Sequence, residues 1–194
     1  MSSLLSLLHA TAEWQAGLPP DCLASVRYLD AISLSIDRGD CVVVRHDDPA
    51  GARILLAALA GSPVALQARG WRGERQVFSG LRVRRAAIRS GVLPWILSGW
   101  RSAAERPSSV SHPRRAVAEP AVARPPAMSP LVHLFRASRE GDVSTIEGGY
   151  WRRWARDERE RGHAVVLVVG AGMLPQPGGS AVRELRLRDG RLGP

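Results

Sequence analysis

The stretch Asp40–Gly61, which reads DCVVVRHDDPAGARILLAALAG, constrains the fold of this chain more than any other part of the sequence. Its valine run, Val42–Val44, consists of β-branched residues and favours a strand. A short polar loop with Pro49 and Gly51 follows, and the apolar segment Ile54–Ala60 then has the composition of a helix. We therefore predict a strand, a loop and a helix in this order.

A loop in this position is where many proteins bind phosphate, because backbone N–H groups and the positive end of the helix dipole meet there. The usual pattern is a glycine, four residues, and then Gly-Lys-Ser/Thr, in which the lysine contacts the terminal phosphates and the hydroxyl holds magnesium. Here His46, Ala52 and Arg53 stand at the first glycine, the lysine and the hydroxyl positions, and Gly51 alone matches. We expect the backbone of a phosphate loop without its charged and metal-binding groups.

The polar triple His46-Asp47-Asp48 in this loop has two interpretations. It could be a metal or acid–base cluster, or an ordinary turn in which Asp48 caps the helix and Pro49 is the first helical residue. We favour the cap, and we expect neither a metal site nor a catalytic residue in the chain.

The formal net charge of +9 raises the question of nucleic-acid binding, with Arg82–Arg89, Arg114 and Arg115 as candidate contacts. All 27 basic residues are arginine, however, and the chain contains neither lysine nor asparagine, which is typical of a coding bias. We therefore favour a solvated, arginine-rich surface over a nucleic-acid interface. Since the chain has no lysine, it also has no lysine that could contact a phosphate.

The cysteines and the apolar runs indicate the compartment. Cys22 and Cys41 have neither a metal-ligand spacing nor the density of a disulfide framework, so we expect buried thiols in a reducing environment. The longest apolar run, Ala164–Gly172, is too short to span a membrane. We expect a cytoplasmic chain that reaches the inner membrane, if at all, as a peripheral subunit held by a partner.

The order of patterns along the chain predicts one α/β domain. Buried strands at Leu131–Phe135 and Ala164–Val169 are separated by a helix at Tyr150–Arg161, which implies a mostly parallel sheet. Alternating strands near both chain ends suggest an added antiparallel edge. We divide the chain into an N-terminal helical extension (1–22), an N-terminal half with the altered phosphate loop (23–102), a Pro/Ala/Arg-rich linker (103–130) and a C-terminal half of the same domain (131–194).

The helix predicted at Tyr150–Arg161 could serve either of two purposes. Trp151 and Trp154 fall on one side of it, and Asp157, Glu158 and Glu160 are placed on the other. The tryptophans and neighbouring arginines could stack on single-stranded nucleic acid, or the tryptophans could pack against the sheet. We favour packing, with the acidic residues in solvent.

Together these pieces resemble the ATPase domain of ATP-binding cassette (ABC) transporters. LASVRYLDAISLSIDRGDCVVV and AGARILLAALAG resemble its start, while RRWARDERERGHAVVLVVGAG and VRELRLRDGRL resemble its last helix, its switch-histidine strand and its closing hairpin. The resemblance covers Leu23–Gly70 and Leu131–Leu192. It implies a P-loop NTPase-like α/β fold with a mostly parallel sheet, an antiparallel N-terminal or edge subdomain and a reduced helical subdomain.

The resemblance also implies where a nucleotide would lie. Tyr28 takes the position of the adenine-stacking aromatic, and Gly51, Ala52 and Arg53 that of the phosphate loop, so these four residues form a vestigial nucleotide site. The strand that normally ends in Asp-Glu ends here in Phe135 and Arg136, and the switch histidine is replaced by Gly170.

We therefore expect a non-catalytic structural or regulatory subunit of a transport system that holds no cofactor, ATP with magnesium being expected only if the site is competent. The partner would be an ABC-type ATPase, through dimerisation, or a membrane permease. Two alternatives remain open: an ATP-binding transporter ATPase with non-standard site residues, and a basic nucleic-acid-binding protein.

Overall fold

The computed structural model describes residues 3–15, 25–62, 70–88, 129–137, 149–171 and 182–194. These residues form nine strands and two helices, in the order β1 (Ser3–Gln15), β2 (Ser25–Asp37), β3 (Cys41–His46), α1 (Pro49–Ala60), β4 (Arg72–Val77), β5 (Arg82–Ile88), β6 (Leu131–Ala137), α2 (Gly149–Glu160), β7 (Ala164–Gly170), β8 (Val182–Arg188) and β9 (Arg191–Gly193). No helix within these ranges is long and apolar enough to cross a bilayer.

The larger sheet has six strands in the order β5-β6-β7-β3-β8-β9. The pairings from β5 through β8 are all parallel, and β9 alone runs antiparallel, as the second strand of the hairpin with β8. The predicted parallel sheet is therefore confirmed. The alternating strand β8 is itself parallel to β3, so the antiparallel edge at this end of the chain is only β9.

The smaller sheet is antiparallel, in the order β2-β1-β4. It shows that the helix predicted for the N-terminal extension (1–22) is wrong over Ser3–Gln15, which form β1. Leu4, Leu5 and Leu7 have the spacing of a helical face, but irregular register at both ends of this leucine run lets a strand bury all three. Backbone pairing on both sides of β1 outweighs the local propensity.

Helix α1 lies between the two sheets. Asp48 is its N-cap and Pro49 is its first residue, as the sequence predicts, and Gly61 ends it in the left-handed conformation with φ of 70°. Nearly every side of the helix is buried, in one core shared by residues from both sheets. This explains why its sequence is almost wholly apolar rather than amphipathic.

Helix α2 covers the opposite face of the parallel sheet. The predicted packing of Trp154 is confirmed, since its ring contacts Phe135 edge-on with centroids 5.5 Å apart. The prediction that Glu158 faces solvent is wrong, because it lies one turn beyond Trp154 on the same face and is only 5% exposed. The side chain of Trp151 lies outside the described part, as do residues 1–2, 16–24 and all of the linker except Ser129 and Pro130.

The reduced helical subdomain that the resemblance implies would fall between β5 and β6. Residues 89–128 lie outside the described residues, so this feature stays a prediction. The chain returns from this interval beside the start of β5, since the Arg82 N–H donates to the carbonyl of Pro130, the residue before β6, at 3.0 Å.

Candidate functional site

The loop between β3 and α1 lies at the carboxyl edge of the parallel sheet, where α/β proteins commonly bind ligands. Neighbouring strand ends hold it in place. The Ala171 N–H, just beyond β7, donates to the His46 carbonyl at 2.9 Å, and the Asp47 N–H donates to the Leu187 carbonyl of β8 at 3.3 Å. The start of α1 is therefore fixed between its two flanking strands.

The first N–H groups of α1 already have an anionic acceptor within the chain. The Asp48 carboxylate accepts from Ala50 N through Oδ1 and from Gly51 N through Oδ2, both at 2.8 Å, while its carbonyl accepts from Ala52 N at 3.1 Å. In a phosphate loop, groups in this position point at the ligand. Here a carboxylate occupies that position, and the predicted cap at Asp48 is confirmed.

Tyr28 and Gly51, two of the four predicted nucleotide-site residues, are brought together by the fold. The Tyr28 carbonyl oxygen would lie 2.9 Å from a Cβ placed on Gly51, and Asp48 Oδ2 would lie 3.0 Å from it. Only glycine therefore lets β2 and the cap approach α1 this closely. The contact is made by the Tyr28 backbone, and its side chain packs, partly buried, against the core.

Ala52 and Arg53 point in different directions. Ala52, at the position of the phosphate lysine, is 0% exposed and belongs to the core between the two sheets. Arg53, at the position of the magnesium-binding hydroxyl, is exposed to solvent. Of the four predicted residues, the structure therefore brings Tyr28 and Gly51 together, buries Ala52 and leaves Arg53 exposed to solvent.

The side chains near the end of β6 differ in polarity and lie on opposite faces of the sheet. Phe135 is fully buried under α2, whereas Arg136 lies on the opposite face of the sheet, the face that α1 covers. Gly170 is the last residue of β7 and pairs with His46 in the sheet. Among the described residues, no acidic side chain lies at the ends of β6 and β7.

Positive charge accumulates on the α1 side of this edge. Burial lowers the pKa of Arg136, and the nearby guanidinium groups of Arg53 and Arg85 lower it further. Burial also lowers the pKa of His46, as does Arg136, while the carboxylates of Asp48 and Asp47 oppose that change. Sequence reasoning noted Arg85 only as part of a basic run, and the register of β5 against β6 is what places it beside Arg136.

Metal binding has little support in the described part of the chain. No three histidine, cysteine or acidic side chains there are placed to hold an ion. Cys41 is a buried free thiol, and burial raises its pKa. Cys22 lies outside the described residues.

No model of a known protein family matches the sequence, and no curated protein matches it either. Solved structures do match. A bacterial ABC transporter cassette solved as a dimer aligns with a TM-score of 0.54 and 14% identity, covering 98% of this chain and 97% of that one. An ABC transporter cassette in its ADP conformation gives 0.51 and 10%, with 100% and 90% coverage. An inward-facing ABC transporter of metal-chelate type gives 0.50 and 12%, with 99% and 82% coverage. The chain therefore has the α/β fold of an ABC transporter ATP-binding cassette.

Proposed function

We propose that this chain is a non-catalytic structural or regulatory subunit of an ABC-type transport system. The observation that supports this most directly is the Asp48 carboxylate, which accepts the Ala50 and Gly51 N–H groups at 2.8 Å each. A phosphate at the start of α1 would have to displace that carboxylate and would meet its negative charge. Losing such a cap typically costs about 1 kcal/mol of stability.

The groups that would offset this cost are missing from the sequence. The chain has no lysine to contact a terminal phosphate. The resemblance places Phe135 and Arg136 where a magnesium-binding aspartate and a catalytic glutamate would stand. In phosphoryl transfer, magnesium neutralises charge on the phosphates and a polar residue orients the attacking water. Losing a single transition-state contact of this kind costs about 3 kcal/mol, so losing several together is expected to abolish turnover.

The transport role itself is inferred from the fold. Among the structures with this fold, one cassette was solved as a dimer and another structure is an inward-facing ABC transporter. We infer that this chain pairs with a catalytically competent cassette or binds a permease at the cytoplasmic face of the inner membrane. Its contribution would be an interface rather than ATP hydrolysis.

The test is to titrate the purified chain with a fluorescent ATP analogue, with magnesium and with EDTA, and to measure phosphate release from ATP. We expect neither magnesium-dependent binding nor turnover above the level without protein. Asp48→Asn is the matched variant, since it removes the charge and keeps a capping side chain. Tight, magnesium-dependent binding by the native chain would contradict the proposal and support the ATPase alternative.

The partner requires a separate experiment. Affinity purification of the tagged chain from its own cells should recover an ABC-type ATPase or a permease in stoichiometric amounts. Retention of labelled single-stranded DNA with a steep dependence on salt, and recovery of no transport protein, would favour the nucleic-acid alternative instead.

A further inference from the structure

We propose that Arg53, Arg85 and Arg136 form a magnesium-independent binding site for a phosphate-class oxyanion, beside the capped start of α1. We call these three side chains the arginine cluster. The inference concerns a ligand of this chain and does not depend on the proposed transport role.

Strand register places two members of the cluster on one face of the sheet. Arg85 in β5 pairs directly with Leu134 in β6, and paired residues of parallel strands point to the same face. Leu134 belongs to the core that packs around α1, and Arg136 lies two residues further along β6, hence on that same face. Arg53 projects from the first turn of α1, and its guanidinium group, like that of Arg85, lies near enough to Arg136 to repel it.

Buried polar side-chain atoms at this edge have no hydrogen-bond partner among the described residues. Arg136 Nε is buried and makes no hydrogen bond to any described residue. The same holds for Nδ1 of His46, whose side chain is 7% exposed and lies on the α1 face at the end of β3. An unsatisfied buried donor is costly, and an acceptor from outside the chain would remove that cost.

Charge distribution points the same way. Several arginines elsewhere on the sheet have acidic partners, as in Arg45 with Glu184 at 3.0 Å and Arg183 with Asp40 at 3.5 Å. In the described part of the chain, no member of the arginine cluster forms an ion pair. Arg53 and Arg85 act on Arg136 only by repulsion. A bound anion would relieve that repulsion.

The geometry favours a small oxyanion. Guanidinium groups bind phosphate oxygens through paired N–H donors, and three of them around one point can satisfy a tetrahedral anion. Because the Asp48 carboxylate holds the first N–H groups of α1, the anion must bind to the side of the helix start. Within the described residues no carboxylate joins the cluster, and three positive charges around one point favour an anion over magnesium.

The experiment is isothermal titration of the native chain with inorganic phosphate in EDTA, with sodium chloride adjusted to keep ionic strength constant. We expect saturable binding that is about tenfold weaker or worse in Arg136→Gln and also in Arg53→Gln. Arg183→Gln makes the same charge change at the amino end of the sheet and should bind like the native chain. Because Arg53 is exposed, its variant is expected to fold even if Arg136→Gln does not.

Two outcomes would overturn the inference. One is phosphate binding that falls equally in Arg53→Gln and Arg183→Gln, which would mean general charge attraction. The other is no saturable binding at all.

A parallel titration with ADP and ATP in EDTA shows whether the anion is free phosphate or the end of a nucleotide. If the native chain neither binds phosphate nor hydrolyses ATP, the arginine cluster is refuted as a binding site and the proposed function is unaffected. Magnesium-dependent turnover would refute the proposed function separately.

Discussion

Asp47 and Asp48 are adjacent carboxylates that the structure uses differently. Asp48 accepts two backbone N–H groups of α1 at 2.8 Å. Asp47 is exposed, and its side chain contacts Arg186 only at 3.5 Å. A capping carboxylate satisfies helix donors that no intrahelical carbonyl can reach, whereas an exposed ion pair contributes little.

Replacing Asp48 with alanine should therefore lower the free energy of unfolding by about 1 kcal/mol, measured by urea denaturation. Asp48→Asn should retain most of the native stability, because asparagine is an equally good cap. Asp47→Ala is the matched control, with an expected change within about 0.5 kcal/mol. Equal effects of the two alanine variants would show that the cap does not stabilise α1.

At this scale the sequence predicts what is local. The cap at Asp48 and the first helical residue Pro49 follow from rules about neighbouring residues, and both are confirmed. The burial of Glu158 could not be predicted in the same way, because its partner His133 is distant in sequence. The spacing of Glu158 from Trp154 was the only sequence signal for its burial. The acidic residues around it indicated a solvent-exposed face instead.

At the scale of elements, Glu158 connects α2 to the two strands beneath it. Its Oε2 lies 2.9 Å from His133 Nε2 in β6 and 4.0 Å from Nε2 of His163, which precedes β7, and its Oε1 accepts from Arg161 at 3.0 Å. Burial raises the pKa of Glu158, but the His133 hydrogen bond and the nearby positive charges outweigh this, so its pKa is lowered. Burial lowers the pKa of both histidines.

These pKa shifts predict that acid destabilises the fold. Because the folded-state pKa of His133 and His163 lies below 6.5, the unfolded chain binds protons first, and stability falls as the pH drops below that value. Each such proton contributes a slope of up to about 1.4 kcal/mol per pH unit. The lowered pKa of Glu158 acts in the same direction at lower pH, as its stabilising charge is lost.

Urea denaturation at pH 7.5, 6.5 and 5.5, a range of roughly 2 pH units around the ordinary histidine pKa, measures this slope. His133→Gln keeps a hydrogen-bond donor for Glu158 but cannot titrate, so it should flatten the slope. His9→Gln is the control at an exposed histidine and should leave the slope as it is in the native chain. A slope that His133→Gln does not reduce would mean that this histidine is not a source of the acid sensitivity.

The elements themselves were predictable where burial is uniform. The strands at Leu131–Ala137 and Ala164–Gly170 are apolar runs covered on both faces, which is what a central parallel strand requires. Strand β1 was not predictable, because its leucines have a helical spacing that only an irregular strand register can bury. The arginine cluster was also invisible to pattern reasoning, since it depends on which strands are neighbours rather than on their sequences.

At the scale of the whole molecule, α1 joins the two sheets into one core. Leu7 of the antiparallel sheet and Leu134 of the parallel sheet are both fully buried and belong to the same cluster, with Leu55 of α1 between the sheets. If either sheet lost its packing against α1, the apolar residues of that sheet and of the helix would both be exposed to water. The sheets are therefore expected to unfold together rather than as separate units.

Hydrogen exchange by mass spectrometry in increasing urea tests this coupling. Peptides from β1 and from β7 should open with the same free energy. Leu7→Ala should lower that free energy by about 2–5 kcal/mol in both peptides, because the cavity it leaves weakens a shared core. Leu134→Ala, made in the other sheet, should do the same to both. If Leu7→Ala lowers protection in β1 and leaves β7 unchanged, the antiparallel sheet is an independent unit and α1 does not couple it to the parallel sheet.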